Sequence, residues 1–527
     1  MAIEGNRKSG LNLWTMRKRM SASRACFVWV LVGCAGTAAL RAADRISFEV
    51  QRAAELNRTS PEGRLFVILS RTNAPEPRMT LGQSGRTAPQ ALARDVRGFT
   101  PGTKAVLDRN AFTYPQPQLA DLPADDYYVQ ALFAANRDLN FPNAPGNLYG
   151  EPQKVRVDPA GGGVMKLELT RETPAEQLPA DSSQVKFVKL HSRLLSDFHH
   201  RPMYLRAGII LPERYESDTQ RRYPLWVRIG GLNTRFTVAE RLMSGDSDFR
   251  KLWNAAKTPR FILLQLDGAG PYGDPYYVNS ANNGPFGDAL VQELIPYVEK
   301  QFRASGESHG RVLSGVSTGG WVALALQIFY PDDFNGAWSA CPDPVDFRAF
   351  ELVNIYEDTN AYSNRKGYAR PSERDVNGDV TLTMRDEVGA ENLLGRGNSF
   401  ALSGQQWGAW NAVYSPRGAD GLPLPLWDPL SGEIDRRVAA QWRKYDLRSV
   451  LEQNWQNLAP KLNGKLHIAA GEADQYFLNN AVHLLEAFFN HADPPFQGRI
   501  VYGPRKRHGW SDVDLPQMLQ EMAEATR

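Results

Sequence analysis

The sequence predicts an α/β protein, a mostly parallel sheet with helices on both faces, preceded by a small all-β sandwich. Three observations carry that prediction. From residue 205 onward, short apolar runs alternate with longer helical ones, the pattern of strands and crossover helices in a sheet covered on both sides. From about residue 45 to 171 the runs are short and β-rich, with Pro, Gly and Asn clusters between them, as in a sandwich of short strands. Between a strand-like run at 311–314 and a helical run reaching Tyr330 lies the turn Gly315-Val316-Ser317-Thr318-Gly319-Gly320, whose glycines suit a sharp passage from strand to helix.

Taken in order, residues 1–43 read as an export signal. Arg17-Lys18-Arg19 and Arg24 precede an apolar run at 25–40, and no acidic residue interrupts it before Asp44. Basic, then apolar, then small residues is the layout of a secretory signal. Gly33, Gly36 and Thr37 leave the run too short and too dilute for a membrane-spanning helix. Two processing routes are open. Cleavage near Ala42 gives a soluble secreted product. Alternatively, Leu31-Val32-Gly33-Cys34 resembles a lipobox, in which Cys34 is acylated and a lipoprotein is anchored by apolar burial. Either route leads to the periplasm, the cell surface or the medium. With Cys26 and Cys34 in the signal, Cys341 is the one cysteine of the folded part. No internal disulfide is then possible, and the apolar run at 336–341 suits a buried thiol rather than a nucleophile.

Residues 44–180 are expected to form the β-sandwich, an Ig-like accessory domain with strands at 64–71, 126–137, 153–158 and 164–170. The phrase Leu122-Pro123-Ala124-Asp125-Asp126-Tyr127-Tyr128 suits a tyrosine corner. A polar linker follows at 172–183. Residues 181–527 form the α/β domain, with strands at 205–211, 225–229, 261–266, 311–314, 336–341, 465–470 and 498–502. Helices are expected at 287–302, from the glycine turn to Tyr330, and at 479–490. In the first of these, Ala289, Leu290, Leu294, Ile295 and Val298 keep one face apolar. The interval from about 342 to 461 is too long for a loop and reads as an inserted subdomain. Both its ends leave the sheet at the edge where ligands bind in open α/β folds, so it is expected to be lid-like. The net charge of +3, from 61 basic and 58 acidic residues, gives no reason to expect nucleic acid as a partner.

Ser317 is the candidate nucleophile. Gly-x-Ser-x-Gly arises by chance in a glycine-rich chain, but its position between strand and helix is what a nucleophile elbow needs. A serine hydroxyl needs a base, and the base an orienting acid. In the α/β-hydrolase fold these follow the serine in the order acid, then histidine, each after a sheet strand. The strand at 465–470 leads into Gly471-Glu472-Ala473-Asp474, and the strand at 498–502 leads to Arg507-His508-Gly509-Trp510. His508 is the candidate base, since His467 lies within a strand and His483 and His491 on a helix. Asp474 is preferred over Glu472 as the acid, because it sits farther into the loop. The oxyanion donors are expected at the N–H of Thr318 and in the Gly230-Gly231-Leu232-Asn233 turn, at Gly231 or Leu232.

At this point the chain resembles the putative esterase (esterase D-like) family. Gly315 to Gly320, Phe286-Gly287-Asp288-Ala289-Leu290 with Glu293-Leu294-Ile295-Pro296-Tyr297, and the closing stretches 471–474 and 508–510 carry the resemblance. It covers roughly residues 185–522 apart from the insertion. It implies an α/β-hydrolase that cleaves carboxylic esters, of small molecules or polysaccharide, without cofactor or metal. The rivals are acyl transfer to an alcohol by the same serine, and a non-catalytic binding protein on this scaffold. In the insertion, Trp407 and Trp410 are offered as rings for a sugar or phenolic substrate, the alternative being that they form the insertion's own core. The Asp375-Val376-Asn377-Gly378-Asp379 run lacks the glycine position of a calcium loop and reads as a solvated turn.

Overall fold

The computed structural model describes residues 46–527. The export signal and the acylation site at Cys34 lie outside the described residues. None of the described helices is long and apolar enough to cross a membrane.

Eight strands form the central sheet, in the order Val185–Ser192, Met203–Ile210, Ile262–Leu266, Leu225–Ile229, Arg311–Val316, Ala337–Ala340, Leu466–Gly471, Arg499–Gly503. Met203–Ile210 runs antiparallel to both neighbours, and every other pairing is parallel. Its middle strands are apolar on both faces because helices cover both; all five residues of Ile262–Leu266 are buried. One face, with Val227, Leu313 and Ala337, packs on the helix Thr318–Phe329. The other, with Trp226, Val312 and Trp338, packs on Trp253 and on Leu519 and Met522 of the C-terminal helix Leu515–Ala525. The helix expected at 287–302 is present as the unbroken succession Phe286–Ala289, Leu290–Leu294 and Ile295–Gln301.

The N-terminal region is built from two sheets. Lys104–Leu107, Ile46–Arg52 and Gly163–Leu169 form one, and the other is centred on Gly63–Ser70 and Asp125–Ala134. Phe48 and Val50 of the first meet Val67, Leu69, Val129 and Phe133 of the second in a shared core. The tyrosine corner is present: Tyr127 Oη donates to the carbonyl of Pro123 at 3.0 Å.

The outer face of the larger sheet is covered by the insertion. Phe66, Ile68, Ala91 and Leu132 pack against Ala390 and Leu393 of the helix Met384–Leu394. Arg64, 2% exposed, donates to Leu393 O at 2.8 Å and Asn398 Oδ1 at 2.8 Å, and pairs with Asp95 at 2.9 Å. The insertion also shares one hydrophobic core with the central sheet. Its last helix, Leu447–Leu462, packs against Thr318–Phe329 as a crossover helix does. The segment is thus woven into the α/β domain rather than hinged on it. The Asp375–Asp379 run is a solvated turn of the hairpin between Pro371–Arg374 and Val380–Thr383, its Asp375 carboxylate accepting from the N–H groups of Asn377 and Asp379.

Candidate active site

Ser317 ends the strand Arg311–Val316 and caps the helix Thr318–Phe329, with φ 60° and ψ −126°. That conformation is costly for a residue with a side chain, about 1–3 kcal/mol, and persists only where the surroundings impose it. Here the constraint is close packing. A Cβ on Gly315 would lie 2.0 Å from Gly319 O, and one on Gly319 would lie 2.4 Å from Ile229 O. Only glycine lets strand and helix approach so closely. The first N–H groups of the helix have no intrahelical acceptor and point to the turn.

His508 and Asp474 come together from the loops after the last two strands. His508 Nδ1 lies 2.8 Å from Asp474 Oδ2, with Asp474 1% exposed and His508 13%. Asp474 Oδ1 accepts from the N–H of Tyr476 at 2.9 Å. Burial disfavours the imidazolium, but the hydrogen bond to Asp474, its charge and that of Asp343 outweigh it, so the pKa of His508 is raised. With Nδ1 held by a carboxylate, Nε2 is left for a substrate-side proton. The edge of His508 meets Tyr476, ring centroids 5.0 Å apart. Glu472 turns away, bonding His483 Nε2 and Asn479 Nδ2 at 3.2 Å each.

The Gly230–Asn233 turn runs alongside the serine. A Cβ on Gly231 would lie 4.0 Å from Ser317 Cβ. The turn is tied by Thr234 N to Gly231 O at 3.0 Å and by Asn233 N to Asp274 Oδ2 at 3.3 Å. Asp274 is buried, and desolvation pushes its carboxyl up to about 7. Gly231 therefore approaches Ser317 from the turn after Leu225–Ile229, and Thr318 follows the serine at the start of the helix.

Sequence reasoning missed Asp343. It lies in the loop just after Ala337–Ala340 and is 1% exposed. Its Oδ1 accepts from Ser317 Oγ at 3.3 Å. Its Oδ2 receives Tyr276 Oη at 2.6 Å, Thr318 Oγ1 at 3.0 Å, Trp410 Nε1 at 3.1 Å and Gln406 Nε2 at 3.2 Å. Burial pushes its carboxyl up, against the hydrogen bond of Tyr276 and the charge of His508. One sequence signal pointed to it: a carboxylate in the first loop positions after a sheet strand, at the same edge as Asp474.

The expectation for Trp407 and Trp410 as substrate rings is corrected. They are 0% and 2% exposed, packed edge-to-face with each other at 4.8 Å and, for Trp410, against Phe350 at 4.7 Å. No ring face is free for a ligand. Cys341 is buried as expected; desolvation and the nearby Asp474 push its thiol up to about 11. Among the described residues, Cys341, Asp474 and His508 bring ligand atoms within 4.8 Å of one another. The thiol is not ionised there and Nδ1 of His508 is already bonded, so the set is poorly suited to a metal.

A family model described as putative esterase matches residues 204–500. Among solved structures, a ferulic acid esterase is 16% identical, with 65% of this chain and 99% of that one covered and a TM-score of 0.36. An S-formylglutathione hydrolase from Agrobacterium tumefaciens is 14% identical, with coverage of 65% and 95% and a TM-score of 0.37. A fluorophosphonate-binding serine hydrolase of Staphylococcus aureus is 15% identical, with coverage of 64% and 98% and a TM-score of 0.38. A search among curated proteins finds no match. The family match takes in Ser317 and Asp474, stops short of His508, and spans more than half of the 527 residues. The chain belongs to the putative esterase family and is a carboxylic ester hydrolase.

Proposed function

We propose that the protein is a serine esterase working through Ser317, His508 and Asp474, outside the cytoplasm, on an acylated carbohydrate or related ester. The observation that carries the reading is the 2.8 Å bond between His508 Nδ1 and Asp474, together with a serine held at φ 60° on a helix N-terminus. In this reading Nε2 of His508 takes the proton of Ser317 Oγ as the oxygen attacks the ester carbonyl. The N–H groups of Thr318 and of Leu232 or Gly231 hold the oxyanion. The leaving alcohol takes the proton from His508, and water activated by the same nitrogen then releases the acid. Asp474 fixes the tautomer throughout.

The insertion serves as a fixed cover over this site. Gln406 reaches the Asp343 carboxylate, and Asn233 Nδ2 donates to Gly404 O at 3.4 Å, which supports the lid reading. The basic–apolar–small pattern before Asp44 supports export. Mass spectrometry of the mature N-terminus from the native host tests it: acylated Cys34 marks a lipoprotein, a start near Ala43 a soluble product, and an intact Met1 inside the cell refutes export. For the nucleophile, a fluorophosphonate probe should label the wild type and not Ser317→Ala. Labelling that survives the substitution sinks the assignment.

A further inference from the structure

We propose that Asp343 determines substrate specificity, its Oδ1 receiving a hydroxyl that the ester carries beside the scissile bond. The inference rests on Ser317 being the nucleophile. The side chains hydrogen-bonded to Asp343 all donate to it, and together they suit an acceptor-only group. They are unevenly shared. Tyr276, Thr318, Gln406 and Trp410 all address Oδ2. Among the described residues, Oδ1 has Ser317 Oγ as its side-chain donor, at 3.3 Å.

That donor is lost in the reaction. When Oγ bonds to the acyl carbon, its proton passes to Nε2 of His508 and Oγ has nothing left to donate. From the tetrahedral intermediate until the alcohol leaves, Oδ1 of a carboxylate that is 1% exposed then has no side-chain donor among the described residues. A buried acceptor in that position penalises any substrate that leaves it bare and favours one that refills it. The ligand must reach Oδ1 from the side of Ser317, because the other sides are filled by Tyr276 and by Gln406 and Trp410 of the insertion. A hydroxyl on the carbon adjacent to the one that bears the ester oxygen can reach back to the side of Ser317 while the carbonyl is under attack. The substrate class is thus an ester of a vicinal diol, as in a partly acylated polyol or sugar.

The test compares 2-hydroxyethyl acetate with 2-methoxyethyl acetate, in which a methyl group replaces the hydroxyl proton, by acid release at constant pH. Wild type and Asp343→Asn, as full mature chains, are first titrated with a fluorophosphonate to count active Ser317. Wild type is expected to favour the hydroxyl ester in kcat/KM by about tenfold or more, equivalent to about 1.4 kcal/mol. In Asp343→Asn the preference should fall to within about threefold of unity while Ser317 still labels. Equal rates for the two esters in wild type overturn the proposal, with no need of the variant. An unchanged preference in a labelled Asp343→Asn overturns it too. A wild type that fails to label at Ser317 instead brings down the nucleophile assignment on which the proposal stands.

Discussion

Asp474 and Asp343 follow the ends of neighbouring strands and are each 1% exposed. Their surroundings differ. Asp474 meets an ionisable ring, His508, and a backbone N–H. Asp343 meets hydroxyls, an amide and an indole, none of which carries charge. A carboxylate beside an imidazole shares a charge-assisted bond and fixes a proton's position. One ringed by neutral donors acts on the imidazole only through its charge and stays a place for further donors. Location in the fold supplies two buried acids; in the proposed reading their partners decide which one orients the base and which one reads the substrate.

The comparison breaks most visibly in rate. Asp474→Ala should lower kcat on 4-nitrophenyl acetate by about 10³-fold or more with little change in KM, since it removes an interaction that matters only in the transition state. Asp343→Asn should cost about tenfold on the same substrate, which carries no hydroxyl to read. Equal losses in the two variants would mean that both carboxylates serve His508.

A smaller effect lies in pH. With His508 as the proposed base, activity would need it neutral, and its pKa is raised in the folded protein by Asp474 and Asp343 against burial. Activity should therefore fall on the acid side through a midpoint above the ordinary histidine value of about 6.5. Removing a negative charge destabilises the imidazolium, so Asp343→Asn should move that limb to lower pH. The groups facing Asp343 besides His508 are Tyr276, Asp274, Glu351 and Tyr414, and none of them is altered by the substitution. A limb that stays in place would show that Asp343 is neutral in the working enzyme, sharpening its contrast with Asp474.

Much of this was legible in the sequence. The strand 225–229 and the runs at 261–266 and 465–470 are continuous apolar stretches, and the structure places them within a residue of where the pattern does. The edge strand Val185–Ser192 was not read, because buried, half-buried and exposed positions mix along it and its polar residues mask the period; nor was Ile46–Arg52, the middle strand of its sheet, although buried and half-buried residues alternate along it. Ser317 and His508 stood out because their chemistry sits at strand ends. Asp343 did not, because Tyr276, Gln406 and Trp410 are 67, 63 and 67 residues away and meaning comes to it only from their convergence. For Trp407 and Trp410 the sequence left two readings open, and the structure takes the insertion's own core: an aromatic cluster in sequence says that rings gather, not which faces remain open.

Both carboxylates are also tied to the insertion, Asp343 through Gln406 and Trp410, Asp474 through Arg374, which donates to its carbonyl at 2.9 Å. The insertion in turn is docked on the β-sandwich by Arg64. Arg64→Ala leaves the carbonyl of Leu393 without its buried donor and should lower Tm by about 3 °C or more. If docking only supports the site, kcat on 4-nitrophenyl acetate stays within about twofold of wild type. A larger loss would mean that the two acids depend on the sandwich for their positions, which thermal melting and kinetics on the same preparation would separate.

The smallest effect should come from Glu472, the carboxylate two residues before Asp474 that the sequence left as its rival. Glu472 bonds His483 and Asn479 at the partly exposed start of the helix Asn479–Phe489, and its side chain is 37% exposed. A solvated pair of that kind contributes about 0–1 kcal/mol. Glu472→Gln keeps the size and one acceptor oxygen, so Asn479 retains its bond. The expected result is kcat and KM within about twofold of wild type and an unmoved acid limb, because no charge that faces His508 changes. A shift of the acid limb in this variant, measured beside Asp474→Ala, would make Glu472 a contributor to the base and dissolve the division of labour drawn from the geometry of Asp474 alone.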